Sequence, residues 1–277
     1  MELMKFGIPK STKRLVIAPI GDLQWSGQNG PTAKDTLKRH IDRALSMDAY
    51  FVGMGDYIDF VSPSNRKKLK AAGLYDVAEA VLEEKAMELM TEVYEQFLEP
   101  TKGRWLGMVE GHHFYEGSGW TTDEKLCEFL KTEFLGTSAY INIPTADLVL
   151  YVHHGVGAGV LPGTGLNKLY HVQGILQGAD VYLMGHNTKL AAAPLGRTYP
   201  VWGNKKADHE LTHRNVHVVN TGGFSKSSIV GNRVGTILRG TYAEQGMMTP
   251  SPLRAPFVVA YLDTIHEHFN ESVWIQL

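Results

Sequence analysis

Five short fragments gather carboxylates and imidazoles where apolar runs stop: Asp22-Leu23-Gln24, Gly55-Asp56-Tyr57-Ile58-Asp59, Glu110-Gly111-His112-His113, His154-Gly155 and Gly185-His186-Asn187. Carboxylate oxygen and imidazole nitrogen are donors that zinc, manganese and iron take readily. A two-metal cluster needs a shared anionic bridge and ligands converging from separate elements. Asp56 is the natural bridge. A single Gly-Asp or His-Gly pair usually marks an ordinary turn; the ordered set of five is what points to a metal site.

The elements that must position these residues read as an alternating series. Leu15 to Ile20 is a short apolar run that suits a buried strand, stopped by Gly21-Asp22. Thr32 to Met47 has a helical pattern with Leu37, Ile41, Ala44 and Leu45 on one side. Tyr50 to Met54 is a second strand, stopped by Gly55-Asp56. Asp76 to Leu98, rich in Ala, Glu, Leu and Met with Pro100 just past it, predicts a long helix. Trp105 to Val109 is a third strand, and Glu110-Gly111-His112-His113 begins at its end. Strand-helix-strand-helix-strand order implies parallel strands with right-handed crossovers, and ligands of such sheets gather beyond the carboxyl ends. Leu148 to Val152 and Val181 to Met184 repeat the pattern, each leading to a His next to Gly. Later strands are expected at Val216 to Asn220, Phe257 to Leu262 and Val273 to Leu277. Residues 222–256, with scattered Gly, Pro, Ser and Thr, read either as a flap over the site or as a solvated surface excursion. In the flap reading Lys226, Arg233 and Arg239 are candidate phosphate contacts.

With 277 residues, 43% hydrophobic and 20% charged, the chain has the composition of a soluble globular protein. No Pro/Ser-rich linker or charge block divides it, so a single domain over residues 1–277 is expected. A net charge of -2 excludes a broad basic footprint for nucleic acid and favours a small or locally bound substrate. Cys127, the one cysteine, can form no intrachain disulfide and reads as a buried thiol. No apolar run has the length of a signal segment or a membrane span, so a cytoplasmic location without membrane partners is expected. The chain lacks the Gly-x-Ser-x-Gly elbow of acyl hydrolases and the Gly-x-x-x-x-Gly-Lys-Ser/Thr phosphate loop. Gly155-Val156-Gly157-Ala158-Gly159 approaches a dinucleotide-binding turn, but it follows a His-bearing strand and reads as having no helical continuation.

Over Leu15 to Phe224 the motifs resemble the calcineurin-like metallophosphoesterase family, whose pattern is Asp-x-His, Gly-Asp-x-x-Asp, Gly-Asn-His-Glu/Asp, His before Gly, and Gly-His-x-His. Gly55-Asp56-Tyr57-Ile58-Asp59 matches its element in full, and Asn220-Thr221-Gly222-Gly223 resembles the Asn-x-Gly turn that often follows the last His motif. The resemblance implies a four-layer α/β/β/α sandwich of two mixed sheets, with the metal site at the carboxyl ends of the strands. One metal would take Asp56, His112, His154 and His186; His112 stands where the family has Asn. His154 rather than His153 is chosen because it precedes Gly155, and neighbouring strand residues face opposite ways.

The other metal would take Asp22, Asp56, Gln24 and Thr188, with Gln24 and Thr188 replacing two family histidines. Amide or hydroxyl oxygen is a poorer ligand for borderline metals, so this ion should be held more weakly, with manganese or magnesium favoured over zinc; for the two ions together manganese is expected, with zinc, iron or magnesium as alternatives. His113 occupies the place of the catalytic histidine that protonates the leaving group, oriented by Asp59. Phe60 stands where the family's protein phosphatases carry a phosphate-binding Arg, and Phe114 follows His113, which disfavours that branch. The implied function is a metal-dependent phosphoesterase, specifically a phosphodiesterase on a nucleotide or nucleic-acid end. It would act through in-line attack by a hydroxide bridging two divalent ions. The alternatives are a phosphomonoesterase, or a catalytically degenerate scaffold that keeps one structural metal. Tyr115, Glu116 and Trp120, close to His113, are candidates to line the pocket. His40, His171, His209, His213, His217, His266 and His268 read as structural or surface residues.

Overall fold

The computed structural model of the chain describes all residues except 10–12, 61–62, 74–77, 118, 158–160, 204–208, 235 and 263–272. In chain order the elements are β1 (Glu2–Lys5), β2 (Arg14–Ile20), α1 (Lys34–Ser46), β3 (Tyr50–Gly53), α2 (Pro63–Ala71), α3 (Glu79–Val93), β4 (Trp105–Met108), α4 (Thr122–Leu130), β5 (Ser138–Ile143) and β6 (Leu148–His153). They continue with α5 (Pro162–Ile175), β7 (Val181–Met184), β8 (Ala191–Val201), β9 (Glu210–Asn220), β10 (Arg233–Val234), β11 (Ile237–Leu238), α6 (Tyr242–Gln245), β12 (Phe257–Tyr261) and β13 (Val273–Gln276).

Two mixed sheets result. The first has the order β13-β12-β2-β3-β4, with β2, β3 and β4 parallel as the alternating pattern predicts and β12 and β13 antiparallel at one side. The second has the order β1-β5-β6-β7-β9-β8, in which β6, β7 and β9 run parallel. Alternation along β2 sends Val16, Ala18 and Ile20 into a core with α1, α3 and α4, and Leu15 and Ile17 into a core with β5, β6 and β7. A third cluster joins Tyr151, Tyr182 and Val218 of the second sheet to Leu169 of α5. The first-sheet core is anchored by Leu37, Ile41 and Ala44, which recur on one face of α1. Leu126, Cys127 and Leu130 of α4 join it; Cys127 is buried, and burial raises its thiol pKa. A reciprocal Thr121–Glu124 capping box starts α4: Thr121 Oγ1 accepts from Glu124 N at 3.2 Å and Glu124 Oε2 from Thr121 N at 2.9 Å.

Several elements depart from the sequence expectation. The long helix starts at Glu79, residues 76–77 of the expected span lying outside the described residues, and from Tyr94 it widens into a π-type turn to Leu98. Gly159 lies outside the described residues, but a helix, α5, does follow this segment; Pro162 opens it, and Gly163, Gly165 and Gly174 within it lower the propensity that would have announced it. Strands β1, β5 and β8 and helix α2 are additional, as are the short β10, β11 and α6 within the 222–256 excursion. β8 carries Pro194 and Pro200, tolerated because it is an edge strand paired on one side only, with β9. Among the described residues no helix is long and apolar enough to cross a membrane.

Candidate metal centre

Each of the five fragments leaves a strand end, and the parallel register of β2 with β3 and of β6 with β7 brings those ends together. Asp22 N donates to Gly55 O at 2.9 Å, and Leu23 N and Gln24 N to Asp56 O at 2.9 and 3.0 Å, which locks the first two loops. Close approach needs glycine. A Cβ on Gly55, whose φ is +89°, would meet Gly111 Cα and His154 Nδ1 at 2.6 Å, and one on Gly111 would overlap Asp56 N. Asp22, Gln24, Asp56 and His186 themselves hold φ values of 49°, 49°, 56° and 62°. Left-handed backbone at non-glycine residues costs about 1–3 kcal/mol each, and such strain clusters at functional sites.

Two donor sets form, and they share His154. His112, His154 and His186 make one and Asp22, Asp56 and His154 the other, with the donor atoms of each within 4.8 Å of one another. His154 Nδ1 donates to Met54 O at 2.6 Å, and since a carbonyl can only accept, the neutral ring carries its lone pair on Nε2. That Nε2 is buried, 3.4 Å from Asp56 Oδ2, and has no hydrogen-bond partner among the described residues. Asp56 Oδ1 accepts His112 N at 2.5 Å and His113 N at 3.1 Å. Asp22 Oδ2 accepts His186 N at 2.9 Å, and Asp22 Oδ1 is a second buried atom with no partner. His112 Nδ1 and His186 Nδ1 stand 3.2 Å apart. Nitrogens sharing one tetrahedral ion at about 2.05 Å are themselves about 3.3 Å apart. Orphaned carboxylate oxygen and imidazole nitrogen, converging in a buried site, fit a divalent cation.

The charged groups of the site perturb one another strongly. Burial pushes the Asp22 carboxyl up to about 7, with the His154 charge opposing and Asp56 adding. Burial acts in the same sense on Asp56, but the contact and charge of His154 overcome it and hold Asp56 well below the usual carboxylate range. His154 is raised to about 9: burial opposes protonation, and Asp56 followed by Asp22 outweigh it. His112 is lowered to about 4 by burial and then by the charges of His154 and His186, which keeps its lone pair available near neutrality. His186 is lowered by burial and His154, with Lys168 a smaller contributor.

His113 stands apart from both donor sets. Its Nδ1 pairs with Asp59 Oδ1 at 2.8 Å, and although burial works against protonation, the Asp59 hydrogen bond and the Asp56 charge raise its pKa. His153 is turned elsewhere, its Nδ1 accepting from Gly155 N at 2.7 Å. Compared with protein-family models and with curated proteins, the chain matches none.

The remaining sequence candidates are distributed as follows. Gln24 is half-buried, with its backbone held by Asp56. Thr188 lies on the Asp22 side, but its hydroxyl is bonded to Ser251 Oγ at 2.8 Å. Lys226, Arg233 and Arg239 are exposed; Arg233 donates to Thr236 O and Arg239 to Gln245 Oε1, both inside the 222–256 excursion. Tyr115 is buried against Ala86 and Trp120, and Phe60 packs edge-on against it at 5.7 Å, so these aromatics serve a core beneath the His113 loop. Glu116 pairs with Lys70 at 3.1 Å.

Two residues gain roles that the sequence did not suggest. Asp123, fully buried at the start of α4, accepts Gly111 N at 2.9 Å and so fixes the loop that bears His112 and His113. Burial raises its carboxyl to about 7. In sequence it is one of two acids in a helix first turn, a position that dipole complementarity already explains. Lys189 is 7% exposed; its ammonium reaches Thr249 O, Pro250 O and Ser251 Oγ and clasps the returning end of the excursion beside the His186 loop.

Proposed function

We propose that the chain is a metal-dependent phosphoesterase of the calcineurin-like kind, and that it acts on phosphodiesters. The observation that carries this reading is the pair of donor sets meeting at His154, next to an Asp59-paired His113 that belongs to neither. Held by Asp22, Asp56, His112, His154 and His186, divalent ions would supply Lewis-acid polarisation of a phosphoryl oxygen and a nucleophile from water. Asp56 belongs to the Asp22 set and lies 3.4 Å from Nε2 of the shared His154, which supports it as the anion that would serve both positions. His113 then holds a proton at the edge of the site, and Asp59 keeps its ring oriented so that the other nitrogen can deliver that proton to the leaving oxygen. Phe60, in place of an arginine, supports the choice of diester over phosphoprotein. The four-layer α/β/β/α arrangement belongs to the same proposal, supported by one core between the sheets and one on the outer face of each.

A second reading, a scaffold with one structural ion, is favoured by the engagement of the Thr188 hydroxyl with Ser251. Elemental analysis after purification in manganese, with turnover of aryl phosphodiesters, aryl phosphomonoesters, cyclic nucleotides and single-stranded DNA, separates the two. The enzyme reading expects two ions per chain and diester hydrolysis. One retained zinc and no turnover establishes the scaffold.

A further inference from the structure

From the end of β6 the chain passes through Gly155, Val156 and Gly157, enters α5 at Pro162, and returns along β7 to the turn that bears His186. A small cleft, open to solvent, lies between these segments, walled by Val156, Thr164, Lys168, Met184, His186 and Asn187. His186 therefore belongs both to the cleft and to the metal-donor set. Among the described residues Lys168 is the one charged side chain in this wall, and it sits in the second turn of α5. Its ammonium donates to the Val156 carbonyl, which occupies one of three donors. Among the described residues no carboxylate lies within ion-pair distance of it.

The α5 end of the cleft is held in place from below. A Cβ on Gly165 would overlap the amide of Asn220, which is fully buried, donates through Nδ2 to Pro162 O at 3.3 Å and leaves Oδ1 without a partner. The first turn of α5 contains no acidic residue, so its positive end is uncompensated. Lys226, Arg233 and Arg239, exposed on the excursion, offer no comparable cation in a cleft wall shared with a donor residue.

We infer that this cleft is a subsite for a second, non-scissile phosphoryl group, gripped by Lys168, so that the preferred substrates carry another phosphate beside the ester being cleaved. The inference rests on the phosphoesterase reading. Through Lys168 the site distinguishes a doubly phosphorylated nucleotide or 5′-phosphorylated nucleic-acid end from a lone diester, because an ammonium in a partly desolvated wall favours a doubly charged group.

Calorimetry on the manganese-loaded protein with AMP, ADP and adenosine 3′,5′-bisphosphate tests it, alongside hydrolysis of the dinucleotides TpT and pTpT. At least one doubly phosphorylated ligand should bind roughly tenfold more tightly than AMP. Lys168→Met should reduce that ratio to about twofold or less, with manganese content retained, and Lys168→Arg should keep it. Preference for ADP assigns directly linked phosphoryl groups, and preference for the bisphosphate or for pTpT assigns sugar-spaced ones. The subsite is overturned if wild type shows no preference, or if the preference survives in Lys168→Met. If the binding preference holds but neither dinucleotide nor any aryl ester is cleaved, the phosphoesterase reading fails and the anion subsite stands.

Discussion

His113 and His154 are both histidines beside a carboxylate, and their surroundings separate their roles. His154 is buried, ties Nδ1 to a carbonyl and turns its other nitrogen toward two aspartates, as a ligand would. His113 is half-buried and engages Asp59 through Nδ1, so its second nitrogen is available for proton transfer. Replacement of His113 by Ala should lower kcat on an alkyl phosphodiester roughly 100-fold. The loss on a 4-nitrophenyl diester should be much smaller, because that leaving group departs without a proton. Steady-state kinetics on both esters, with metal content measured on the same samples, checks this. An equal loss on the two would make His113 a structural residue instead. The two adjacent histidines after Gly111 were legible in the sequence because nothing about packing explains them. Asp123 was not, since its carboxylate acts through a backbone N–H that only the folded loop presents.

Among the elements, α1 carries a titratable group of another kind. His40 lies on its buried face, stacked on Phe257 at 4.7 Å and tilted against Phe224 at 5.3 Å. Burial, and then the nearby Arg43 charge, lower its pKa from 6.5 to about 4. The unfolded chain takes up a proton on His40 below 6.5, whereas the folded chain does so only near 4. Stability from this group is therefore complete above 6.5 and is lost as the pH falls through that window. At pH 5 the loss amounts to about 2 kcal/mol. Urea unfolding of wild type and His40→Phe at pH 7.5 and about pH 5 reads it: the variant should show a fall in stability smaller by about that amount. Parallel curves for the two proteins would remove His40 from the acid response. The α1 face was readable from its 3.6-residue apolar spacing, but the aromatic partners come from residues 224 and 257, far along the chain. Helix α5 escaped the same kind of reading because its glycines and opening proline mask a helix stabilised through Leu169 against the second sheet.

For the molecule as a whole, the two sheets deliver loops from opposite halves of the chain to one buried cluster of carboxylates and imidazoles. Asp22 and Asp56 are both buried and stand in the same donor set, a repulsive arrangement that a divalent cation relieves. Metal and fold should therefore be coupled. Saturation at about 100 times the dissociation constant stabilises by roughly 2.7 kcal/mol, which for a chain of this size raises Tm by roughly 5 °C. Scanning calorimetry across a manganese titration, followed by EDTA, checks it: Tm should climb with the logarithm of free metal and drop back on chelation. A Tm indifferent to both would mean that the aspartate cluster holds no ion.

What the amino-acid sequence determined by itself was the alternating strand order and the chemistry stored at each strand end, because apolar period and turn residues are local signals. The left-handed backbone of Asp22, Gln24, Asp56 and His186, the tautomer of His154, the sharing of that ring between two donor sets and the cleft beside Lys168 were decided by tertiary structure alone. Each depends on the distance between segments tens to more than a hundred residues apart. Only sheet register and inter-sheet packing set such distances, and neither leaves a mark on neighbouring residues in the chain.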